Sequence, residues 1–363
     1  MNQDAVNVAQ LEEFDEIVDV RSPSEYELDR VPGAINCPVL FDDERVRVGT
    51  IHAHESSFAA KKVGAALVAR NIARHLEDAF ADKPRRWRPL IYCWRGGQRS
   101  ASMTSVLRQT GWDARRLEGG YKAFRRHVIT DTDHLVARLS FNVVCGLTGS
   151  GKSALLRALE DENAQVLDLE RIAEHRGSVL GAIPGSAQPR QKMFESRVWQ
   201  TLKRFDLSRC VYVEAESRRI GDLRLPESVM DAMRASPCVT LQTTTAVRVQ
   251  LLLREYRHLV SNPAGLTPRL DALVWLHGRR RVARWNALVS ANDWESLVRE
   301  LLEQHYDPAY RKSSTTNYAE MPRATALKVT EGSPDEFVAL AQCLIADEPA
   351  RRNSPDARAR NVA

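Results

Sequence analysis

Tyr92-Cys93-Trp94-Arg95-Gly96-Gly97-Gln98-Arg99-Ser100 sets the architecture of the first half of the chain. The apolar run Pro89 to Tyr92 ahead of it reads as a short buried strand, and the amphipathic segment Ala101 to Gly111 after it reads as a helix. A cysteine at a strand end, followed by a glycine turn and a helix start, suits a nucleophile better than a core. The turn can aim several backbone N–H groups at one point, and the helix start adds positive potential there. Arg95 and Arg99 add formal charge. Such a setting favours the thiolate and builds a cradle for an anion above the sulfur. The plain alternative is a buried structural cysteine. Two Arg and two Gly within six residues of Cys93 weigh against it.

This stretch resembles the active-site loop of rhodanese domains, and the chain before and after it agrees. Ile17-Val18-Asp19-Val20-Arg21 is similar to the family's first strand with its Asp-x-Arg, and Glu25-Tyr26 to the acidic-aromatic pair on the next helix. Val31-Pro32-Gly33-Ala34-Ile35-Asn36 resembles the Pro-Gly-Ala turn, with Arg30 where the family has His. Leu117-Glu118-Gly119-Gly120-Tyr121 resembles the Gly-Gly turn near the domain end. Five residues separate Cys93 from Arg99, one more than in the commonest sulfurtransferase loop. The wider cradle suits a larger tetrahedral anion such as a phosphate derivative. Cysteine phosphatases share this Cys-x5-Arg spacing, so a phosphatase stays open as a rival.

The length of 363 residues suggests two domains, and 43% hydrophobic with 27% charged residues is an ordinary soluble balance. A net charge of +5 is compatible with nucleic-acid binding without implying it. Six scattered cysteines, without zinc-ligand spacing or a paired disulfide pattern, fit a reducing compartment. The N-terminus does not read as a signal peptide and no apolar run approaches membrane length, so a cytoplasmic protein is expected.

Strand and helix patterns alternate from Glu16 to about His127. Ser24 with Glu27 reads as a capping box, and Ser57 to Phe80 as the longest helix of this half. The basic patch Lys83-Pro84-Arg85-Arg86-Trp87-Arg88 is a solvated loop or an RNA phosphate contact. Arg125 to Arg138 reads as a connector. The strand Leu139 to Cys145 then runs into Gly146-Leu147-Thr148-Gly149-Ser150-Gly151-Lys152-Ser153, a full Gly-x4-Gly-Lys-Ser phosphate loop ahead of a helix pattern. Its glycines let backbone N–H groups approach phosphate oxygens, Lys152 reaches the outer phosphate and Ser153 can hold Mg²⁺. Asp168 and Glu214 end the next two strand patterns, where each could hold Mg²⁺ through water, act as an acid or base, or simply cap a helix. His175 is an acid/base candidate or a hydrogen-bonded structural residue. After Glu216-Ser217-Arg218-Arg219-Ile220-Gly221 the chain reads as helical, with Val247 to Val260, Leu270 to Leu288 and Trp294 to His305 amphipathic. Arg279, Arg280, Arg281 and Arg284 beside Trp285 could grip an RNA backbone and stack a base, or form a solvated helix face. Residues 347–363 read as a disordered tail.

Taken together, the Cys-Trp-Arg-Gly-Gly loop, the phosphate loop, residues 216–221 and His305-Tyr306-Asp307-Pro308-x-Tyr310 make the whole chain resemble the bacterial tRNA 2-selenouridine synthases. The resemblance implies a rhodanese-like α/β domain over residues 1–128, then a P-loop α/β domain over 138–346. A helical RNA-binding extension would occupy about 225–310. It implies S-geranylation of a wobble 2-thiouridine in the tRNA anticodon region with geranyl diphosphate. Selenium from selenophosphate then replaces the geranylthio group through a perselenide on Cys93. Arg95, Gly96, Gly97, Gln98 and Arg99 would bind the donor anion, and Gly146, Gly149, Ser150, Gly151, Lys152 and Ser153 the pyrophosphate. A basic surface with Arg85, Arg86 and Arg88 would join Arg279, Arg280, Arg281 and Arg284 in holding the tRNA. No tightly bound cofactor or metal is implied, though Mg²⁺ is compatible, and a monomer is expected. The rivals are a tRNA sulfurtransferase that activates with ATP, a Cys-x5-Arg phosphatase fused to a small-molecule kinase, and a non-catalytic RNA-binding module. Tyr92, where phosphatases place His, weighs against the phosphatase.

Overall fold

A computed structural model of the chain describes residues 5–178, 180, 181, 183, 185–257, 260, 263–310, 318 and 320–347, so the tail reading falls almost wholly outside the described residues. They form two compact units. The first comprises the described residues up to Thr132 together with Arg190–Gln200, and the second comprises Asp133–Pro189 and the described residues from Thr201 on.

Short apolar runs separated by helices give the first unit one parallel sheet. Its strands are β1 (Ala5–Val6), β2 (Glu16–Asp19), β3 (Ile35–Asn36), β4 (Pro89–Tyr92) and β5 (Arg115–Leu117), in the order β1-β5-β4-β2-β3. The central strand β4 is buried at all four residues and pairs with β2 in the register Val18–Ile91 and Asp19–Tyr92. Helices α1 (Pro23–Leu28), α2 (Asp42–His54), α3 (Ser57–Glu77), α4 (Gln98–Gln109) and α5 (Gly120–Arg138) connect and follow these strands. Val18, Val20, Phe80, Trp87, Ile91, Met103 and Leu107 share one core. The expected Ser24–Glu27 box is displaced by two residues. Pro23 takes the first helical position, which suits its fixed φ, and Ser22 N–H donates to Glu25 at 3.2 Å. Arg190–Gln200 belongs here because Arg125 donates to Ser196 Oγ at 2.8 Å and pairs with Glu195, while Trp199 Nε1 donates to Asp131 at 2.8 Å.

A buried ion pair fixes the strand ends of this unit. Arg21 and Asp19 are 1% and 0% exposed and meet at 2.6 Å. Burial alone would strip charge from the guanidinium, but Asp19 outweighs it and Arg21 stays charged. Arg21 also donates to the Asp29 carbonyl at 2.7 Å and lies 4.1 Å from the Tyr121 ring centroid. The Tyr92 hydroxyl donates to Asp19 at 2.5 Å and accepts from Val31 N–H at 3.1 Å. The residue before Cys93 is therefore held by a network that water does not reach.

The second unit repeats the parallel layer with β6 (Ser140–Cys145), β7 (Gln165–Leu167), β8 (Cys210–Glu214), β11 (Cys238–Thr243) and β12 (Thr325–Val329), in the order β12-β11-β6-β8-β7. A separate antiparallel pair joins β9 (Arg219–Ile220) to β10 (Leu223–Arg224). The expectation of a helical extension over about 225–310 is corrected by β11, which lies inside that range. Cys238-Val239-Thr240-Leu241-Gln242-Thr243 is a β-branched run that pairs in the middle of the sheet. The expected helix Leu270 to Leu288 is three helices, Thr267–Asp271, Val274–His277 and Arg279–Ser290, broken at Gly278 with φ 79°. Two apolar clusters result. One packs Leu155, Leu159, Tyr212, Leu241 and Phe337 about the sheet, and the other packs Leu270, Val282, Trp285, Leu297 and Leu301 among the helices. No helix among the described residues is long and apolar enough to cross a membrane.

Removing one member of a buried ion pair leaves the other charged and unsolvated, at a cost of roughly 3–5 kcal/mol. Asp19→Ala should therefore lower the unfolding free energy of the first unit by about that amount in chemical denaturation. A loss below about 1 kcal/mol would show that the pair does not hold the strand ends.

Candidate functional site

The loop after β4 starts at Cys93 and ends at Gly97, which caps α4. A parallel sheet places such a loop at the carboxyl edge of its strands, and β4 lies where the strand order reverses, the usual position for a ligand crevice. Gly120 (φ 58°) presses against the loop from the other side. A Cβ there would lie 2.2 Å from the Cys93 carbonyl oxygen, so the Gly119-Gly120 turn has no room for a side chain. Tyr121 N–H donates to the Cys93 carbonyl at 2.9 Å and Lys122 N–H to the Trp94 carbonyl at 3.1 Å. The N–H groups of residues 94–98 donate to no protein acceptor among the described residues, which leaves them available to an anion. Cys93 is 3% exposed, with Sγ 3.2 Å from Ser100 Oγ. Ser100 Oγ donates to the Gly97 carbonyl at 3.1 Å, so a neutral Cys93 thiol donates to the hydroxyl, and a thiolate would draw the hydroxyl proton instead. Arg99 donates to Glu25 at 2.8 Å. Burial pushes the Glu25 carboxyl up, and the Arg99 guanidinium outweighs it and holds it below the usual range. Arg95 and Gln98 are exposed.

The phosphate loop follows β6, again at a reversal of strand order, between β8 and β11. Its glycines are required by packing: a Cβ on Gly151 (φ 96°) would meet the Phe337 ring at 2.3 Å, and one on Gly149 (φ 77°) would meet Leu252 at 2.7 Å. Ser150 is 1% exposed with its Oγ unpartnered. Lys152 Nζ donates to the Gly146 carbonyl at 3.0 Å and to Leu147 at 3.4 Å, and lies 3.5 Å from Glu214. Ser153 Oγ donates to Glu214 Oε2 at 3.3 Å. Burial pulls Lys152 toward neutrality, but Glu214 and its neighbours outweigh it, so the ammonium keeps its charge.

Glu214 belongs to a cluster only partly foreseen. Ligand oxygens of Glu170, Glu214 and Glu216 all lie within 4.8 Å of one another. Burial and the Glu214 charge push Glu170 up to about 10 and Glu216 up to about 8, and burial raises Glu214 as well. Such a set could hold a hard divalent cation beside Ser153. Asp168 is not among the three. It caps the helix Leu169–Ala173, accepting from Arg171 N–H at 2.9 Å, so the capping alternative fits its geometry. His175 does not line the cleft; burial lowers its pKa and leaves its Nδ1 without a partner.

The cleft over the loop measures about 960 Å³ and is lined by Lys152, the three glutamates, Arg157 and Arg254, and by Leu251, Leu252 and Phe337. Beside it an apolar recess of about 70 Å³ is walled by Leu180, Leu253, Leu297, Leu301 and Leu302, and the two share Leu252, Tyr256 and Tyr306. The motif His305-Tyr306-Asp307-Pro308-x-Tyr310 turns out to brace the phosphate loop. Asp307 clamps the buried Arg248 at 2.5 and 3.0 Å, and Arg248 Nε donates to the Thr148 carbonyl at 2.9 Å. Gly146 N–H donates to Tyr310 Oη at 2.9 Å, and the Tyr318 hydroxyl donates to the Glu216 carbonyl at 2.7 Å. Residue spacing carries no signal for these long-range partners.

The arginines expected to meet RNA divide by their partners. Arg85, Arg86, Arg279, Arg280 and Arg281 are exposed and make no ion pair among the described residues. Arg88 pairs with Asp113 at 3.5 Å and Arg284 with Glu300 at 2.6 Å. The expected stacking residue is corrected: Trp285 is 0% exposed, a core side chain packed with Leu270 and Val282, and cannot receive a base.

Comparison with known proteins follows the same division. A family model described as a rhodanese-like domain matches residues 4–127, and one described as the tRNA 2-selenouridine synthase AAA domain matches residues 139–264. The tRNA 2-selenouridine synthase of Nitrosomonas europaea is 34% identical over 258 residues, 70% of this chain and 66% of that protein. That of Pseudomonas fluorescens is 36% identical over 243 residues, 66% of this chain and 65% of that protein. These two matches span just under two thirds of the relatives' length. That of Salmonella paratyphi A is 36% identical over 334 residues, 81% of this chain and 88% of that protein. With both domain types matched in order and this identity sustained over so much of the Salmonella protein, the chain belongs to the tRNA 2-selenouridine synthase family.

Proposed function

We propose that the chain converts a wobble 2-thiouridine of tRNA to 2-selenouridine in two steps, S-geranylation in the phosphate-loop cleft and selenium exchange at the Cys93 loop. The observation that carries this reading is that the cleft and an apolar recess adjoin, sharing Leu252, Tyr256 and Tyr306 in their walls. The cleft lining offers Lys152, Ser153 and the loop amides to a pyrophosphate, and it adjoins a recess lined almost wholly by carbon. An amphiphile with a diphosphate head and an isoprenoid tail fits both, whereas a nucleotide would present a polar ribose to that recess.

In the first step the nucleoside sulfur attacks C1 of geranyl diphosphate, the C–O bond to pyrophosphate breaks, and the base gives up its N3 proton, which the released pyrophosphate or water takes up. Lys152 exchanges its bonds to the Gly146 and Leu147 carbonyls for phosphate oxygens, and so stabilises charge that develops on the leaving group. A divalent cation on Glu170, Glu214 and Glu216 would add to that stabilisation. In the second step the amides of residues 94–98 cradle selenophosphate, selenium bonds to C2 of the base, the geranylthiolate leaves and takes up a proton, and the Se–P bond is then cleaved by water. Selenium carried as a Cys93 perselenide is more oxidised than in selenophosphate. That route therefore leaves phosphorus as phosphite and needs an external thiol to reduce the Cys93 S–Se bond and release the selenonucleoside, while direct attack by cradled selenophosphate, with water cleaving the Se–P bond, leaves phosphate; the phosphorus product and the thiol requirement tell the two apart.

Cys93→Ser should abolish 2-selenouridine formation and leave geranylation intact, measured by nucleoside mass analysis; full selenium transfer by the Cys93→Ser variant would reduce the loop to an anion cradle. Lys152→Ala should weaken geranyl diphosphate binding by about 1.5–3 kcal/mol, read by calorimetry, while pre-geranylated tRNA is still selenated. Normal geranylation by that variant would remove the phosphate loop from the reaction. The buried carboxylates add a pH test without ligand or metal. Glu216 is raised from an ordinary 4.5 to about 8, so between those values the folded protein holds a proton that the unfolded chain releases, and stability falls as pH rises through that window. Glu216→Gln should gain on the unmodified protein in melting temperature from pH 5 to pH 8. A constant difference would mean that Glu216 is ionised in the folded state.

A further inference from the structure

Three helices in the second unit sort their side chains by face. Leu270, Leu273, Val282, Trp285 and Val289 point into one apolar cluster. At the junction between the helices Val274–His277 and Arg279–Ser290, the turn at Gly278 leaves a different set outside. Trp275 is 83% exposed and Leu276 51%. Arg279, Arg280 and Arg281 follow directly, all exposed, and none makes an ion pair among the described residues, whereas Arg284 on the same helix is held by Glu300. Single exposed apolar residues are ordinary. An exposed indole and an exposed leucine at adjacent positions, within about 20 Å of chain from three exposed guanidinium groups that make no ion pair among the described residues, are a more specific combination.

We infer that Trp275 with Arg279, Arg280 and Arg281 forms a docking surface for an unpaired nucleotide of RNA, the indole stacking on the base and the guanidinium groups meeting the flanking phosphates. The inference rests on the reading of the chain as a tRNA-modifying enzyme and names the residues that would hold that substrate. Charge selects the partner: three uncompensated cations beside one flat aromatic face complement a polyanion that carries flat apolar rings. An unpaired loop satisfies this, because the bases of a duplex already stack on one another. Trp285 is the other tryptophan beside these arginines in sequence, and its burial leaves the role to Trp275.

The test uses the full chain and an unmodified tRNA transcript, with a short single-stranded RNA and heparin as comparison ligands. Trp275→Ala should weaken both RNAs by about tenfold and leave heparin unchanged, because heparin has charge and no bases. Trp275→Phe should restore most of the loss. Replacing Arg279, Arg280 and Arg281 together with Ala should weaken RNA and heparin alike and flatten the slope of log affinity against log salt by about 2 units. Pyrophosphate binding in the phosphate-loop cleft should stay the same in every variant, as a check on folding. If the unmodified chain binds tRNA and Trp275→Ala binds it equally well, the inference is wrong and the proposed function stands. If Trp275→Ala loses heparin as much as RNA, the indole is structural and the inference is again wrong. If the unmodified chain binds no tRNA at all, the inference and the reading beneath it both fail.

Discussion

One half-buried ammonium among three carboxylates sets the terms for the second unit. Lys152 meets Glu214 at 3.5 Å, and Glu170 and Glu216 crowd the same few ångströms. Three ionised carboxylates cannot share one cation in a site shielded from water, so burial and mutual repulsion push Glu216 up to about 8 and Glu170 to about 10. Protons on the carboxylates thus balance the site. Phosphate oxygens arriving at Lys152, or a divalent cation arriving at the carboxylates, each supply what the other side of the balance lacks. The surrounding structure keeps this arrangement rigid. Asp307 holds Arg248, which holds Thr148, and Tyr310 holds Gly146. The phosphate loop is thereby fixed before any ligand binds, which lowers the ordering cost of binding.

The first unit solves a parallel problem with different groups. Its buried charges, Asp19 and Arg21, pair with each other and spend their remaining hydrogen bonds on Tyr92 and the Asp29 carbonyl. That leaves the Cys93 loop supported at its first residue by β4 and at its last by α4, with amides 94–98 free between them. In both units the candidate loop leaves a central strand where the strand order reverses. The two loops differ in what they present: Cys93 offers a thiol and Lys152 an ammonium, which is why the proposed function gives them different steps.

Features with local causes were legible in the sequence. The Cys93 loop, the phosphate loop, the parallel layers and the glycines at turns follow from spacing and steric demands within a few residues. The misses have long-range causes. Asp168 and Glu214 both end strands, and only folding shows that Asp168 turns back to cap its own helix while Glu170 and Glu216 close on Glu214. The strand Cys238–Thr243 lies between helical segments, and its β-branched composition was the signal that could have found it. Trp285 and Trp275 are ten residues apart on similar helical patterns, and only packing against Leu270 and Val282 decides which is core and which faces solvent. The pairing of Asp307 with Arg248, 59 positions apart, carries no local signal at all.

Everything proposed for the two loops comes down to one chain performing two successive reactions on one nucleoside. A time course decides it: the purified chain is incubated with tRNA bearing wobble 2-thiouridine, geranyl diphosphate and selenophosphate, and the wobble nucleoside is followed by mass. The S-geranyl nucleoside should rise first and then decay into 2-selenouridine, and leaving out geranyl diphosphate should stop both. Formation of 2-selenouridine at the same rate without geranyl diphosphate would refute the two-step reading.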